Sequence, residues 1–145
     1  MPAPRAEEIF DNPTDWVAKH IRRYVETGGE KGHRAYGHDS LLLTTRGRRS
    51  GKLRRTALWY LRDRDRYLLV GSNGSRGDPA WVHNVRASAA VVVQVRGDTF
   101  AALARIATPE ERPALWERIV AEIPQHAGSQ KRSRRELPVV IVEAA

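Results

Sequence analysis

Two apolar runs separated by a strongly basic loop constrain this chain more than any other feature. The first run, SLLLTT at residues 40–45, and the second, TALWYL at residues 56–61, are both typical of β-strands. Residues 46–55 between them contain six cations and two glycines, Gly47 and Gly51. The sequence therefore predicts a β-hairpin whose connecting loop is dense in positive charge.

Such a loop has two interpretations, which the residues alone leave open. Glycine lets a loop turn its backbone N–H groups toward an anion, and arginine and serine add donors suited to phosphate or carboxylate. The loop would then be an anion-binding site. The other interpretation is a solvated turn that contributes only solubility, because basic turns are common on protein surfaces.

Composition restricts the classes of partner and site. The 145 residues carry a net charge of +8, which favours nucleic acid, an acidic membrane surface or a polyanionic small molecule as partner. The absence of cysteine excludes disulfides, cysteine-ligated zinc and thiol nucleophiles. His33 and His38 have no partner at a metal-site spacing, so no metal is expected. No signal peptide and no run of about 20 apolar residues is present, and we expect a cytoplasmic protein.

The order of the apolar runs and turn signals predicts a small antiparallel barrel with helices between its strands. The predicted order is helix, three strands, short helix, two strands, helix and final strand. At this length we expect one domain over residues 1–145, in which residues 1–11 are a flexible N-terminal tail.

Boundary signals define the two longer helices. Asn12 is the predicted N-cap of the first helix, Pro13 its first residue, and the pair Gly28-Gly29 its end. A capping box at residues 108–111 predicts the start of the other helix. Pro124 should stop that helix, and we expect a polar, basic segment after it.

Four sequence words occur in one order along the chain: LLLTTRGRRSGKLRRTALWY, VGSNG, DPAWVHNV and RELPVVIVE. With them the chain resembles the deazaflavin-dependent nitroreductase family of actinobacteria, from about Asn12 to Glu143. The resemblance implies a mainly β fold with flanking helices (α+β), a split β-barrel like that of the FMN-binding proteins. It also implies coenzyme F(420), a deazaflavin, as the cofactor, with FMN less favoured.

The resemblance further implies which residues bind this coenzyme, whose phosphodiester, lactyl carboxylate and polyglutamate tail form a dense run of anions. They belong to the basic turn, the strand after it, the segment ending the next strand and the short helix that follows. The predicted cofactor-binding residues are Arg48, Arg49, Ser50, Arg54, Arg55, Thr56, Ala57, Leu58, Trp59, Val70, Gly71, Ser72, Asn73, Ala80, Trp81, Val82, His83 and Asn84.

The chain departs from the family pattern at several of these positions. Ala57 stands where the family often has Pro, Asn73 where it has Lys, and Val82-His83 where it has Tyr-Leu. His126 and Ser129 stand at two positions where relatives have tyrosines near the acceptor pocket. Smaller side chains there predict a more open acceptor pocket.

The implied reaction is hydride transfer between reduced coenzyme F(420) and a small electron-poor acceptor of nitroaromatic, quinone or enone type. Ser72 is the first catalytic candidate, as a donor to negative charge on the acceptor. His126 is the second, as a proton source, because histidine titrates near neutrality.

Two other functions stay open at this point. One is a non-catalytic deazaflavin- or flavin-binding protein on the same barrel, and the less favoured one is a basic nucleic-acid-binding domain. For the enzyme we expect a small-molecule substrate, no nucleic acid, an optional peripheral membrane contact, and either a monomer or a homodimer.

Overall fold

The computed structural model of the chain describes residues 7–72 and 77–145, with nine strands and four helices among them. In chain order they are β1 (Ile9–Asp11), α1 (Asp15–Thr27), β2 (Arg34–Ala35), β3 (His38–Arg46), β4 (Leu53–Trp59), β5 (Leu61–Asp63), β6 (Arg66–Val70), α2 (Ala80–Ala87), β7 (Ala90–Val95), β8 (Asp98–Ile106), α3 (Arg112–Glu122), α4 (Gln125–Arg132) and β9 (Val139–Ala144).

The strands form a mixed sheet in the order β1-β4-β3-β7-β8-β9-β6-β5, and β2 pairs with β3 beside this path. Neighbouring strands are antiparallel except β1 and β4, which run parallel. The predicted basic hairpin is confirmed, since β3 and β4 pair from Ser40 opposite Trp59 to Arg46 opposite Leu53. The basic loop therefore connects the two strands at one end of the sheet.

Both faces of the sheet are covered along β6 and β9. Leu69 and Val140 belong to the interior core, whereas Leu68 and Ile141 belong to a second core with residues of α3. Both strands have continuous apolar runs because a strand buried on both faces needs no polar alternation. The interior is filled by side chains, and two clefts lined by described residues open at the surface.

Helix α1 covers the outer face of the hairpin. Its residues Val17, Ile21 and Tyr24 recur at helical spacing and are buried against Leu42 of β3. Gly28 has φ of 58° and donates its N–H to the last turn, so the predicted glycine end is confirmed.

The start of α1 differs from the prediction, because the helix begins at Asp15 rather than at Pro13. Oδ1 of Asn12 accepts the N–H of Thr14 at 3.0 Å, and its Nδ2 donates to Thr56 Oγ1 at 3.3 Å. Asn12 therefore stabilises a turn that is attached to the sheet, and the helix starts after that turn.

The structure contains four short elements that the sequence did not predict. Strand β1 lies within the N-terminal tail expected over residues 1–11, β2 and β5 are additional to the three strands predicted before the short helix, and α4 lies in the expected polar, basic segment. The three strands depend on pairing with a neighbouring strand, and α4 packs on β4 through His126 and Trp59. Local patterning gives little sign of elements stabilised in this way.

The predicted capping box is confirmed. The N–H of Thr108 donates to Glu111 Oε1 at 2.9 Å, and the N–H of Glu111 donates to Thr108 Oγ1 at 3.2 Å. Helix α3 begins at Arg112 and ends at Glu122, before Pro124 as predicted. Among residues 7–72 and 77–145, no helix combines the length and the apolarity needed to cross a bilayer.

Candidate functional site

A cleft of about 550 Å³ opens beside the basic loop between β3 and β4. Its walls are that loop, strand β4, the start of α2 and an N-terminal strap, which we define as residues 7–13. Nine of the predicted cofactor-binding residues line it, namely Arg48, Arg49, Ser50, Arg54, Arg55, Thr56, Ala80, Trp81 and Asn84. The fold thus brings the basic turn and the short helix together around one opening.

The alternation of a β-strand divides the predicted residues along β4. Arg54 and Thr56 lie on the face toward the cleft, and Leu58 on that same face packs against the interior core. Arg55, Ala57 and Trp59 lie on the opposite face, where Ala57 packs against α1 and Arg55 also borders a groove lined by residues of α1. Neither Ala57, Leu58 nor Trp59 lines the cleft.

Two glycines give the basic loop its tight form. The N–H of Gly47 donates to the carbonyl of Lys52 at 2.8 Å, and a Cβ at position 47 would lie 2.5 Å from Ser50 Oγ. Gly51 has φ of +70°, which a side chain would strain. Among the described residues, no acceptor is found for the backbone N–H groups of Arg49 and Ser50. These two donors are therefore available to an anion.

Asn84 of α2 fixes the position of this loop. It is 6% exposed, its Oδ1 accepts the backbone N–H of Arg48 at 3.0 Å, and its Nδ2 donates to Thr45 Oγ1 at 3.0 Å. Both ends of the amide are satisfied inside the protein. Asn84 lines the cleft, but its hydrogen bonds make it a support of the loop.

The cleft is strongly positive. Four arginines and one aspartate are among the residues that border it, which together carry a net charge of +3. Within the described part of the chain, Arg48, Arg49 and Arg54 have no carboxylate partner, whereas Arg55 is paired with Asp11. Three guanidinium groups can therefore bind an anion without first breaking an ion pair.

The N-terminal strap supplies cleft residues that the sequence did not reveal. Strand β1 sets Phe10 opposite Arg54 and Asp11 opposite Arg55. The Phe10 ring lies 5.6 Å from Arg54 Cζ and 5.0 Å from Lys52 Nζ, within range of cation–π attraction. A three-residue parallel strand carries no periodic signal, so these residues could not have been found from the sequence pattern.

Five further predicted residues lie outside the lining of the cleft: Val70, Gly71, Ser72, Val82 and His83. Val70 and Val82 are buried in the two cores. A Cβ at Gly71 would lie 2.7 Å from Val82 Cγ2, so this glycine permits close packing. Ser72 is half-buried and donates its N–H to the carbonyl of Val70 at 3.2 Å. Asn73, also predicted, lies outside the described residues.

His126 lies on α4 and does not line the cleft. It is 9% exposed and packs edge-on against Trp59, with ring centroids 5.9 Å apart. Trp59 also contacts the ring of His38, whose Nε2 donates to Gln125 Oε1 at 2.9 Å. Burial, and to a lesser degree His38, lowers the pKa of His126 to about 4. The ring is therefore neutral at pH 7, unlike the near-neutral titration expected from the sequence.

The donors of the cleft suit a polyanionic organic cofactor. Guanidinium forks and backbone N–H groups bind phosphate and carboxylate, and the rings of Phe10 and Trp81 provide apolar walls. Over residues 7–72 and 77–145, no three histidine, aspartate or glutamate side chains are grouped to hold a metal ion. The residues present fit the predicted anionic coenzyme.

Comparison with known proteins identifies the family. The family model for F(420)H(2)-dependent quinone reductase matches residues 16–144. An F(420)H(2)-dependent quinone reductase of Mycobacterium tuberculosis is 37% identical, and the match covers 88% of this chain and 95% of that protein.

Two solved structures are similar in fold as well as in sequence. A domain-swapped dimer is 34% identical with a TM-score of 0.68, and the match covers 91% of this chain and 100% of the other. An F(420)H(2)-dependent reductase is 35% identical with a TM-score of 0.65, and the match covers 72% of this chain and 93% of the other. The predicted split β-barrel is confirmed by these neighbours. The chain belongs to the F(420)H(2)-dependent quinone reductase family, which confirms both the predicted cofactor, coenzyme F(420), and the predicted class, an F(420)-dependent oxidoreductase.

Proposed function

We propose that this chain binds coenzyme F(420) in the cationic cleft and reduces a quinone. The observation that carries the proposal is the cleft itself, of about 550 Å³, bordered by Arg48, Arg49 and Arg54, which have no carboxylate partner among the described residues. A quinone is the acceptor named for the matching family and for the mycobacterial relative. Nitroaromatic and enone compounds are further acceptors that we include in the proposal.

The protein's contribution is binding, orientation and exclusion of water. When bound, the reduced deazaflavin supplies the hydride at its C5 position. Arg48, Arg49 and Arg54 would hold the anionic groups, each charged hydrogen bond contributing about 1.5–3 kcal/mol. Phe10 and Trp81 would cover apolar parts of the coenzyme, and desolvation there strengthens nearby electrostatic contacts.

Thr56 lines the same cleft and completes the proposed binding set with Ser50, Ala80 and Asn84. Arg55 borders it as well, but we propose that its guanidinium does not contact the coenzyme, because Asp11 already holds it. The other predicted binding residues, which lie in the cores or on the far face of β4, would act by packing.

We propose that Ser72 and His126 act on the acceptor side. Ser72 lies two residues after the end of β6 and is half-buried beside Gly71, and its hydroxyl would donate to a developing negative charge. A neutral imidazole can also donate from its N–H. With a pKa of about 4, however, only about one His126 ring in a thousand is protonated at pH 7. His126 would therefore orient the acceptor rather than supply its proton.

We also propose a homodimer, on the ground that one similar solved structure is a domain-swapped dimer. Light scattering coupled to gel filtration measures the mass directly, and a mass near 16.4 kDa would exclude it. The cytoplasmic location, the peripheral membrane contact and the lack of a nucleic-acid partner stay predictions.

The experiment that tests the proposal is a pair of titrations followed by a turnover assay. Fluorescence titration should give a lower dissociation constant for coenzyme F(420) than for FMN, and addition of a quinone should oxidise the reduced coenzyme. Binding of FMN that is equal or tighter would overturn the cofactor assignment. Binding of coenzyme F(420) without oxidation by any quinone would instead support the non-catalytic alternative.

A further inference from the structure

Asp11 and Arg55 form a partly buried ion pair at the edge of the cleft, on the face of β4 that also borders a groove against α1. Nε of Arg55 donates to Oδ1 of Asp11 at 2.6 Å, and Nη2 donates to Oδ2 at 3.1 Å. The Arg55 side chain is 19% exposed and the Asp11 side chain 34%. A bidentate pair of this geometry fixes the direction of the guanidinium, so Arg55 is not free to turn toward a ligand.

The pair exists because the strap runs parallel to β4. This alignment sets Asp11 opposite Arg55, and the N–H of Asn12 donates to the carbonyl of Arg55 at 2.8 Å. The same strap carries Glu7, which pairs with Arg46 and has its pKa lowered by that guanidinium. Two of the six cations in residues 46–55 are therefore neutralised by carboxylates of the strap.

We propose that Asp11 is a specificity-determining residue of the cleft, which withdraws one cation from the ligand and so limits the affinity for highly charged anions. The inference rests on the proposed function only in taking this cleft as the coenzyme site. Without the carboxylate, the net charge of the lining rises from +3 to +4, and the guanidinium of Arg55 is released beside the opening. The affinity should then increase most for the ligand with most negative charge.

The first test is Asp11→Asn, which retains an oxygen acceptor for Arg55 and the size of the side chain. The dissociation constant of coenzyme F(420), measured by fluorescence at low salt, should fall about threefold to tenfold. Inorganic pyrophosphate, measured by calorimetry, should gain more affinity than inorganic phosphate. Both gains should shrink as salt is raised, because screening weakens interactions of partly exposed charges.

The matched control is Asp15→Asn. Asp15 undergoes the same change in charge, but it is exposed on α1 and, among residues 7–72 and 77–145, its ion-pair partner is the exposed Lys19. Its dissociation constants should equal those of the parent protein. An equal gain in both variants would show a general effect of net charge and would overturn the specific role of Asp11.

Arg55→Gln and the double variant Asp11→Asn/Arg55→Gln separate a withheld cation from a cation that binds the ligand. Arg55→Gln leaves Asp11 unpaired and should weaken binding. The double variant restores the neutral state of the pair and should bind within about twofold of the parent. If the double variant binds as weakly as Arg55→Gln, Arg55 contacts the ligand directly and the proposal is wrong.

The double variant also decides the matter if Asp11→Asn does not fold, because its neutral amide pair can keep the strap attached. Thermal unfolding verifies the fold of each variant. If coenzyme F(420) fails to bind the parent while pyrophosphate follows the expected order among the variants, the proposed function fails and the role of Asp11 stands. An unchanged pyrophosphate affinity in folded Asp11→Asn would overturn the role of Asp11 alone.

Discussion

Asn84→Ala should weaken coenzyme binding by loosening the basic loop. The substitution removes the acceptor for the N–H of Arg48 and the donor to Thr45 Oγ1, each now at 3.0 Å. Thr45 is 1% exposed, so an unsatisfied hydroxyl there costs about 1–3 kcal/mol. Arg48 is exposed, so water can accept the hydrogen bond from its backbone N–H at a smaller cost. We expect the free energy of unfolding to fall by about 2–4 kcal/mol.

The loss of affinity follows from the freedom that the loop regains. Fixing the backbone of one residue costs about 1–2 kcal/mol of conformational entropy. In the parent protein the loop is already ordered when the chain folds, whereas in Asn84→Ala it becomes ordered only when the coenzyme binds. The dissociation constant of coenzyme F(420) should therefore rise about fivefold to thirtyfold. Fluorescence titration measures this constant, and urea unfolding measures the stability of the same preparation.

Asn84→Asp is the control for this prediction. Its carboxylate still accepts from Arg48, and the Thr45 hydroxyl can rotate to donate to it, so most of the stability should remain. Its negative charge inside the cleft should weaken binding in a salt-dependent way, whereas the loss in Asn84→Ala should change little with salt. An Asn84→Ala protein that is folded, destabilised and unchanged in dissociation constant would refute the supporting role of Asn84.

Three further predictions concern the cleft and α4. Arg54→Ala should weaken coenzyme binding by about 1.5–3 kcal/mol, and Arg54→Lys should restore only part of the lost affinity because an ammonium group lacks the two-pronged geometry of a guanidinium. If Arg54→Ala binds the coenzyme as tightly as the parent protein, the basic loop is a solvated surface and not an anion-binding site. Burial lowers the pKa of His126 to about 4, so the folded state resists protonation of this ring. The neutral ring's contribution to the free energy of unfolding is therefore complete above pH 6.5 and is lost as the pH falls toward 4, a loss of about 3 kcal/mol in all. Urea unfolding of His126→Gln should lack this part of the pH dependence, and an identical dependence in both proteins would contradict it. Ser72→Ala should slow single-turnover oxidation of the reduced coenzyme, and His126→Tyr should speed it. If both variants change only the affinity for the coenzyme and leave the oxidation rate unchanged, neither residue acts on the acceptor.

The hairpin could be predicted because its signal is local. Two apolar runs enclose a glycine-containing basic loop, and the strand pairing from Ser40 to Trp59 follows from their order in the chain. The glycine end of α1 and the capping box at Thr108 were also predictable, since each depends on neighbouring residues. The family resemblance then indicated what an anion-binding loop of this kind would bind.

The division of the binding residues between two faces depended on the strand around them. The family resemblance implied Arg54 to Trp59 as one continuous run of binding residues, but alternation turns Arg54 and Thr56 toward the cleft and Ala57 toward α1. Burial of His126 against Trp59 likewise came from packing between α4 and β4. Its lowered pKa follows from that desolvation, which a residue type does not reveal.

The sequence by itself determined the basic loop, its glycines and the surplus of cations. Only the tertiary structure decided how many of those cations a ligand can use, because that number depends on carboxylates brought from elsewhere. Asp11 meets Arg55 through a parallel pairing across 44 positions of the chain, and Glu7 meets Arg46 across 39. The net charge is a sum over all residues and can be read from the sequence, whereas an ion pair forms only between groups that the fold brings into contact.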